Sequence, residues 1–244
     1  MKKSFMLMLA VLTLSVSSCR VDFGGGISNR LEPSENIVKA KYPQPSFDRV
    51  ENHAFGHIRL VQSNQSRVTL SAPENYVDLF DFKNVNGSLE IRFTKKGVNI
   101  DARNVTIIVY TPTLREVKNS GLADVYFDSL TTDDLVIRNS GAGSFSLSEI
   151  NAKRVDVTCS GAGSISLNGQ AEKGEYLCSG VGSIDAKGMK ASVVDAKVSG
   201  VGSIECYATD FIKGRVTGIG SLRYGGRPAD RDLNRSGIGG ISEM

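Results

Sequence analysis

Three groups of residues in this 244-residue chain have types and spacings that could do chemistry. Cys159 and Cys178 open two near-twin stretches, "CSGAGSISLNG" and "CSGVGSIDAKG", 19 residues apart. Paired thiols at a fixed offset could be metal half-sites, a disulfide, or stacked buried side chains. The Gly-x-Gly elements that follow each cysteine could cradle a phosphate. Asp185, Glu205 and Arg223 take equivalent places in successive stretches, and two carboxylates beside a guanidinium could serve acid–base chemistry on a sugar.

Each chemistry has requirements that the sequence meets only in part. Zinc usually takes four ligands, and the two histidines of the chain, His53 and His57, lie outside the glycine-rich stretches. A phosphate cradle needs a helix N-terminus behind it, whereas alternating residues such as Ile165 and Leu167 follow the glycines here and indicate a strand. A glycosidase needs its carboxyl groups facing each other across a cleft. An Asp185, Glu205, Arg223 ladder on a solvated face satisfies the same spacing without one. No catalytic, metal or cofactor residues are therefore assigned.

The elements that must position these residues emerge from the repeat itself. Aligned on Ser-Gly or Thr-Gly, seven copies begin at Ser120, Ser140, Ser160, Ser179, Ser199, Thr217 and Ser236. Their glycines, Gly121, Gly141 and Gly143, Gly161 and Gly163, Gly180 and Gly182, Gly200 and Gly202, Gly218 and Gly220, and Gly237 and Gly239, recur every 18 to 20 residues. Regular recurrence at this step marks a solenoid. Each copy holds two alternating runs, for example Val155, Val157 and Cys159 before the corner and Ile165 and Leu167 after it.

One such unit cannot stand alone. Ordering its backbone costs about 1 to 2 kcal/mol per residue, and its four or five large apolar side chains return only about 1.5 to 3 kcal/mol each. Stacking equivalent strands supplies the missing burial and hydrogen bonds. The predicted fold is all-β, a right-handed parallel β-helix (β-solenoid) with coils of about 20 residues. The glycines then mark sharp corners, and Asn119, Asn139, Cys159, Cys178, Val198 and Val216 form one inward column. Stacked small hydrophobes is the reading favoured for Cys159 and Cys178, a disulfide stays open, and the asparagines should form an amide ladder.

Outside the repeat, residues 1–18 read as an export signal, with two lysines, a short apolar run and small residues before Cys19. The stretch ending in Cys19 resembles a lipoprotein lipobox, which makes Cys19 the expected lipid attachment point and the membrane the first expected partner. Residues 19–45, with a triple glycine and three prolines, read as anchor and tether. Residues 46–244 read as one solenoid, with irregular first coils over 46–118 and the glycine repeats over 119–244. Removing residues 1–18 takes Lys2 and Lys3 and leaves 27 basic against 26 acidic groups, so nucleic acid is not an expected partner.

The order "FDRVENHAFGHIRLVQ", "GSLEIRF", "TIIVYTPTLREVKNSG", serial "SGxGSI" and "VTGIGSLRYGGRPADRDLNRSGIGG" resembles the family described as putative autotransporter adhesin, head GIN domain. The resemblance runs from about residue 46 to residue 244. It implies a parallel β-helix related to pectin-lyase-like folds, no catalytic residues, and a role in adhesion at the envelope of Bacteroides-like bacteria. "SGLADV" at the first copy departs from the pattern at Leu122 to Asp124. The expected location is the bacterial outer membrane, on a lipid anchor, with surface and periplasmic faces both open. A glycan or surface protein is the expected ligand, and a homo-oligomer or a partner at the open last coil is a further expectation. A periplasmic scaffold and, more remotely, a polysaccharide lyase or hydrolase are the alternatives.

Overall fold

The computed structural model describes residues 30–244, of which Cys19 and the expected export signal are not part. Strand dominates, at 68% against 2% helix, and the chain winds into a β-solenoid of about six turns. Long bent strands, Leu122–Asn139, Phe145–Cys159, Ser164–Cys178, Ser183–Val198 and Ser203–Val216, pair in parallel with the next in a 16-stranded sheet. Alternation decides which residues enter the core. Leu135, Ile137, Val155 and Val157 are fully buried, while the residues between them face outward.

Spatial order departs from chain order at the beginning. Arg49–Asn52 pairs with Glu116–Asn119 on one side and Ser88–Phe93 on the other, all in parallel. Phe55–Gln62 likewise lies between Leu122–Asn139 and Thr106–Thr111. The first parallel coil, from residue 49, thus lies one layer inside the stack; residues 37–43 and 67–111 build the layers outside it, and only then does the chain cross to the coil above. This end is irregular because three of its pairings are antiparallel: Ile37–Pro43 with Arg67–Pro73, Arg67–Pro73 with Thr106–Thr111, and the hairpin Phe80–Val85 with Ser88–Phe93. Asn86 and Gly87, with φ of 52° and 78°, make the hairpin turn.

The tether expected over 19–45 therefore stops short of residue 45. Arg30–Leu31 pairs in parallel with Asn99–Ile100, and Ile37–Pro43 is an edge strand of the main sheet. Val38, Ala40 and Tyr42 are half-buried and their neighbours face solvent. Strand alternation outweighs the proline content because Pro43 sits at the strand's last position, where a missing N–H costs little.

Candidate functional site

The glycine corner is built by close backbone approach. A methyl group placed on Gly161 would fall inside contact distance of the Gly141 carbonyl oxygen, and one on Gly163 would do the same at Gly143. The relation repeats in every coil from Gly141 to Gly239, so both glycine columns exist because the coil below leaves no room for a Cβ. Backbone bonds between coils hold the corner: Ser183 N–H donates to the Gly163 oxygen at 3.2 Å, Val201 N–H to Gly180 at 3.1 Å and Ser203 N–H to Gly182 at 3.3 Å.

The inward column beside the corner continues as a ladder of donors. Asn52 Nδ2 donates to Asn119 Oδ1 at 2.8 Å, and Asn119 Nδ2 donates to Asn139 Oδ1 at 3.1 Å. Asn139 Nδ2 reaches the Gly143 carbonyl at 3.1 Å, and in the next coils Cys159 Sγ reaches Gly163 at 3.5 Å and Cys178 Sγ reaches Gly182 at 3.2 Å. The thiols stand where the amides stood and serve the same carbonyls more weakly. Cys159, Cys178 and Cys206 are free and fully buried. The hydrogen bond with Cys178, together with burial, pushes the Cys159 thiol up, and burial pushes Cys206 up to about 12. The same hydrogen bond holds the Cys178 thiol low, at about 7, but full burial keeps all three thiols from reagents and makes them packing groups.

Register brings Asp185, Glu205 and Arg223 together in one column, as their spacing predicts. Lys187 Nζ lies 2.9 Å from Asp185 and 3.4 Å from Glu205, and Arg223 Nη1 lies 2.8 Å from Glu205. The carboxylates are neighbours on an open, ion-paired face and do not face each other across a cleft, so this column is a solvated ladder.

A further polar cluster escaped the sequence reading. The stretch "NHAFGH", 52–57, lies in register with "NSGLAD", 119–124, which makes it another copy of the corner. His53 occupies the place of the first serine and His57 that of the last. Ser120 Oγ is 2.6 Å from His53 Nδ1, and His53 Nε2 is 3.2 Å from Glu51. On the other side of the corner, Asp124 Oδ1 accepts from the Ser144 N–H at 2.9 Å and hydroxyl at 2.7 Å. This carboxylate bonding settles the odd geometry of the first copy. The Ser120, His53, Glu51 chain has the order of nucleophile, base and orienting group, and it lines none of the grooves described below.

The third position of each SGxG corner carries the least expected feature. Leu122, Val181, Val201, Ile219 and Ile238 are exposed at 68%, 72%, 58%, 62% and 86%. With Ala142 and Ala162 they form one apolar ridge along the corner, coil upon coil. Scattered exposed aliphatics are ordinary, but a contiguous line of them marks an interaction surface. Beside the ridge runs a groove of about 620 Å³ spanning five coils. Val181, Val201 and Ile219 form one wall, Gly182, Gly202 and Gly220 the floor, and Ser164, Ser183, Ser203 and Ser221 the other wall. A second, smaller groove of about 380 Å³ lies at another corner and is lined by Thr131, Asn151, Gln170, Lys153 and Asp133.

Among the described residues, no group of three or more His, Cys, Asp or Glu side chains could hold a metal ion. No helix among them is long and apolar enough to cross a membrane.

Comparison with known proteins agrees with this architecture. A putative adhesin from Bacteroides fragilis is 28% identical, with 88% of this chain and 100% of that chain covered and a TM-score of 0.85. A putative adhesin from Parabacteroides distasonis is 24% identical over 86% of this chain and 97% of that one, with a TM-score of 0.70. A putative lipid binding protein from the same species is 17% identical over 88% and 99%, with a TM-score of 0.69. One fold therefore carries two functional descriptions, and the ligand must be argued from the site. No curated protein matches the chain. Residues 46–228 match the family described as putative auto-transporter adhesin, head GIN domain, and the chain belongs to that family.

Proposed function

We propose that this chain is a non-enzymatic adhesin of the bacterial outer membrane, lipid-anchored through Cys19, that holds its ligand along the ridge and groove of the glycine corner. The observation that carries this reading is the unbroken apolar ridge beside a hydroxyl-lined groove, repeated over five coils. Repetition converts weak contacts into useful affinity, because each further contact forms at high effective concentration once the first is made. The family description and the 28% identical relative, itself named an adhesin, support the same reading.

The test is exposure and attachment measured together. Intact cells displaying the chain are treated with an external protease and scored for adhesion, beside cells carrying Cys19→Ala and cells carrying Val181→Asp/Val201→Asp. The expected result is cleavage that depends on Cys19 and adhesion that falls at least tenfold in the ridge variant at unchanged surface level. Protection until the outer membrane is opened would overturn the adhesin reading and favour a periplasmic scaffold.

A further inference from the structure

Because Ser164, Ser183, Ser203 and Ser221 line the groove, their hydroxyls face whatever occupies it. Among the described residues none of these four hydroxyls has a hydrogen-bond partner, in contrast to Ser144, whose hydroxyl is held by Asp124. Ser183, Ser203 and Ser221 are also half-buried. Opposite them stands the aliphatic wall, and no charged or aromatic side chain lines the space. We infer that the groove takes an uncharged linear polysaccharide lying parallel to the solenoid axis, an inference that rests on the adhesin reading and names its ligand.

Charge matching excludes the anionic polymers. A nucleic acid or a uronic-acid chain would enter a slot that offers no cation, and each anionic group would be partly desolvated without compensation. An extended peptide is also mismatched. Its N–H and C=O groups need partners along their whole length, yet the backbone groups along the floor are already committed between coils, as in Ser203 to Gly182 and Ser221 to Gly202. An acyl chain would satisfy the ridge and leave the row of hydroxyls facing hydrocarbon. A pyranose chain presents an apolar C–H face and a hydroxyl rim on every unit, which fits one aliphatic wall and one hydroxyl wall at once. At the roughly 4.8 Å spacing of hydrogen-bonded strands, five coils give a slot about 20 Å long, enough for several sugar units.

The full chain is tested for binding by titration against a soluble neutral β-glucan, a neutral mannan, polygalacturonate, heparin, phosphatidylethanolamine–phosphatidylglycerol vesicles and unfolded casein. The variants are Val201→Asp, which is exposed and alters the ridge, and Ser183→Ala/Ser203→Ala, which removes hydroxyls without adding bulk. The expected result is binding to a neutral polysaccharide that strengthens with chain length, weakens more than tenfold in the aspartate variant and several-fold in the double alanine variant. Binding confined to the anionic polymers, the vesicles or casein, and lost in the ridge variant, would overturn the polysaccharide and leave the groove as the adhesive site. Neutral-polysaccharide binding indifferent to both variants would overturn the groove as its site. Failure to bind either neutral polysaccharide while cells still adhere through the ridge would overturn the ligand alone, and failure of both measurements would overturn the adhesin reading with it.

Discussion

The two ends of the solenoid solve one problem by opposite means. A stack of coils presents an open apolar cross-section and unpaired strand edges at each end, and either would template aggregation if left bare. At the first end the chain spends residues 30–43 and 67–111 on a cap. Phe55, Phe80 and Phe93 pack edge to face with ring centroids 4.8 to 5.5 Å apart, and Tyr42 meets Phe82 at 4.7 Å. The short helix Glu74–Val77 buries Tyr76, whose hydroxyl donates to the Leu31 carbonyl at 2.7 Å. At the other end no such structure exists among the described residues. The last coil, Asp230–Arg235 and Ile241–Glu243, simply places charged residues where the stack below has apolar ones. Arg231 lies over Ile212, Arg235 over Val216 and Glu243 over Tyr224. Arg231 Nη1 then bonds Glu243 at 2.8 Å and the Tyr224 hydroxyl at 3.1 Å. The first end is closed by burial and the second by repulsion, so stability should reside at the first and solubility at the second.

The largest test of that contrast is at the aromatic cap. Phe80 is almost fully buried and touches Phe55, Phe82 and Phe93. Phe80→Ala should cost about 3 to 5 kcal/mol, the range for deleting a buried phenyl group. Urea denaturation measures it. A cost below about 1 kcal/mol would mean that the cap is an ornament on an already stable stack.

At the other end the corresponding substitution should alter association more than stability. If two last coils paired antiparallel about a two-fold axis, directly opposed residues would share a face. Registers that keep core side against core side are centred on a residue. Centring on Asp232 sets Asp232 against its own copy, on Leu233 sets Arg231 against Arg235, and on Arg231 sets Arg231 against itself and Asp230 against Asp232. Each of these three registers opposes like charges. Arg231→Val/Glu243→Val removes these charges and should add tail-to-tail association beyond that of the unaltered chain, read by light scattering, with stability changed by about 1 kcal/mol or less because the pair is partly exposed. A double variant that scatters like the unaltered chain would show that the last coil is protected by something other than charge.

The same contrast explains what the sequence disclosed. Coils from residue 119 onward were legible because nothing but glycine fits at Gly141 or Gly163, so sterics wrote the period into the chain. The Asn119 and Asn139 ladder followed from that period. In the opening coil Ala54 replaces glycine and His53 replaces serine, and about 50 residues separate the coil from its spatial successor, so the copy at "NHAFGH" was hidden. Its surviving signal was Val50 and Asn52 set against Val117 and Asn119. The cap left only local signs: "VNGS" at 85–88, a strong hairpin signal, and the alternation of "IVKAKYP". The ridge was missed for a different reason. The third position of SGxG varies freely in size, and only the structure shows that the corner turns it outward.

The smallest effect separates the ends by acid. Arg215 pairs bidentately with Asp232 in the last coil, at 3.0 and 2.6 Å, and its guanidinium holds that carboxyl below the usual range. A carboxyl lowered in the folded state contributes stability above its unfolded pKa, near 3.8, and loses that contribution as pH falls through the folded value. Between pH 5 and pH 2 the strand Asp230–Arg235, exposed along its whole length, should therefore fray. The ring contacts among Phe55, Phe80, Phe82 and Phe93 include no carboxylate, so 80–93 should hold. Hydrogen exchange followed by peptide should show protection falling first at 230–235 while 80–93 stays protected. Equal loss at both ends would mean that acid acts on the whole stack, and the division between a buried end and a charged end would fail.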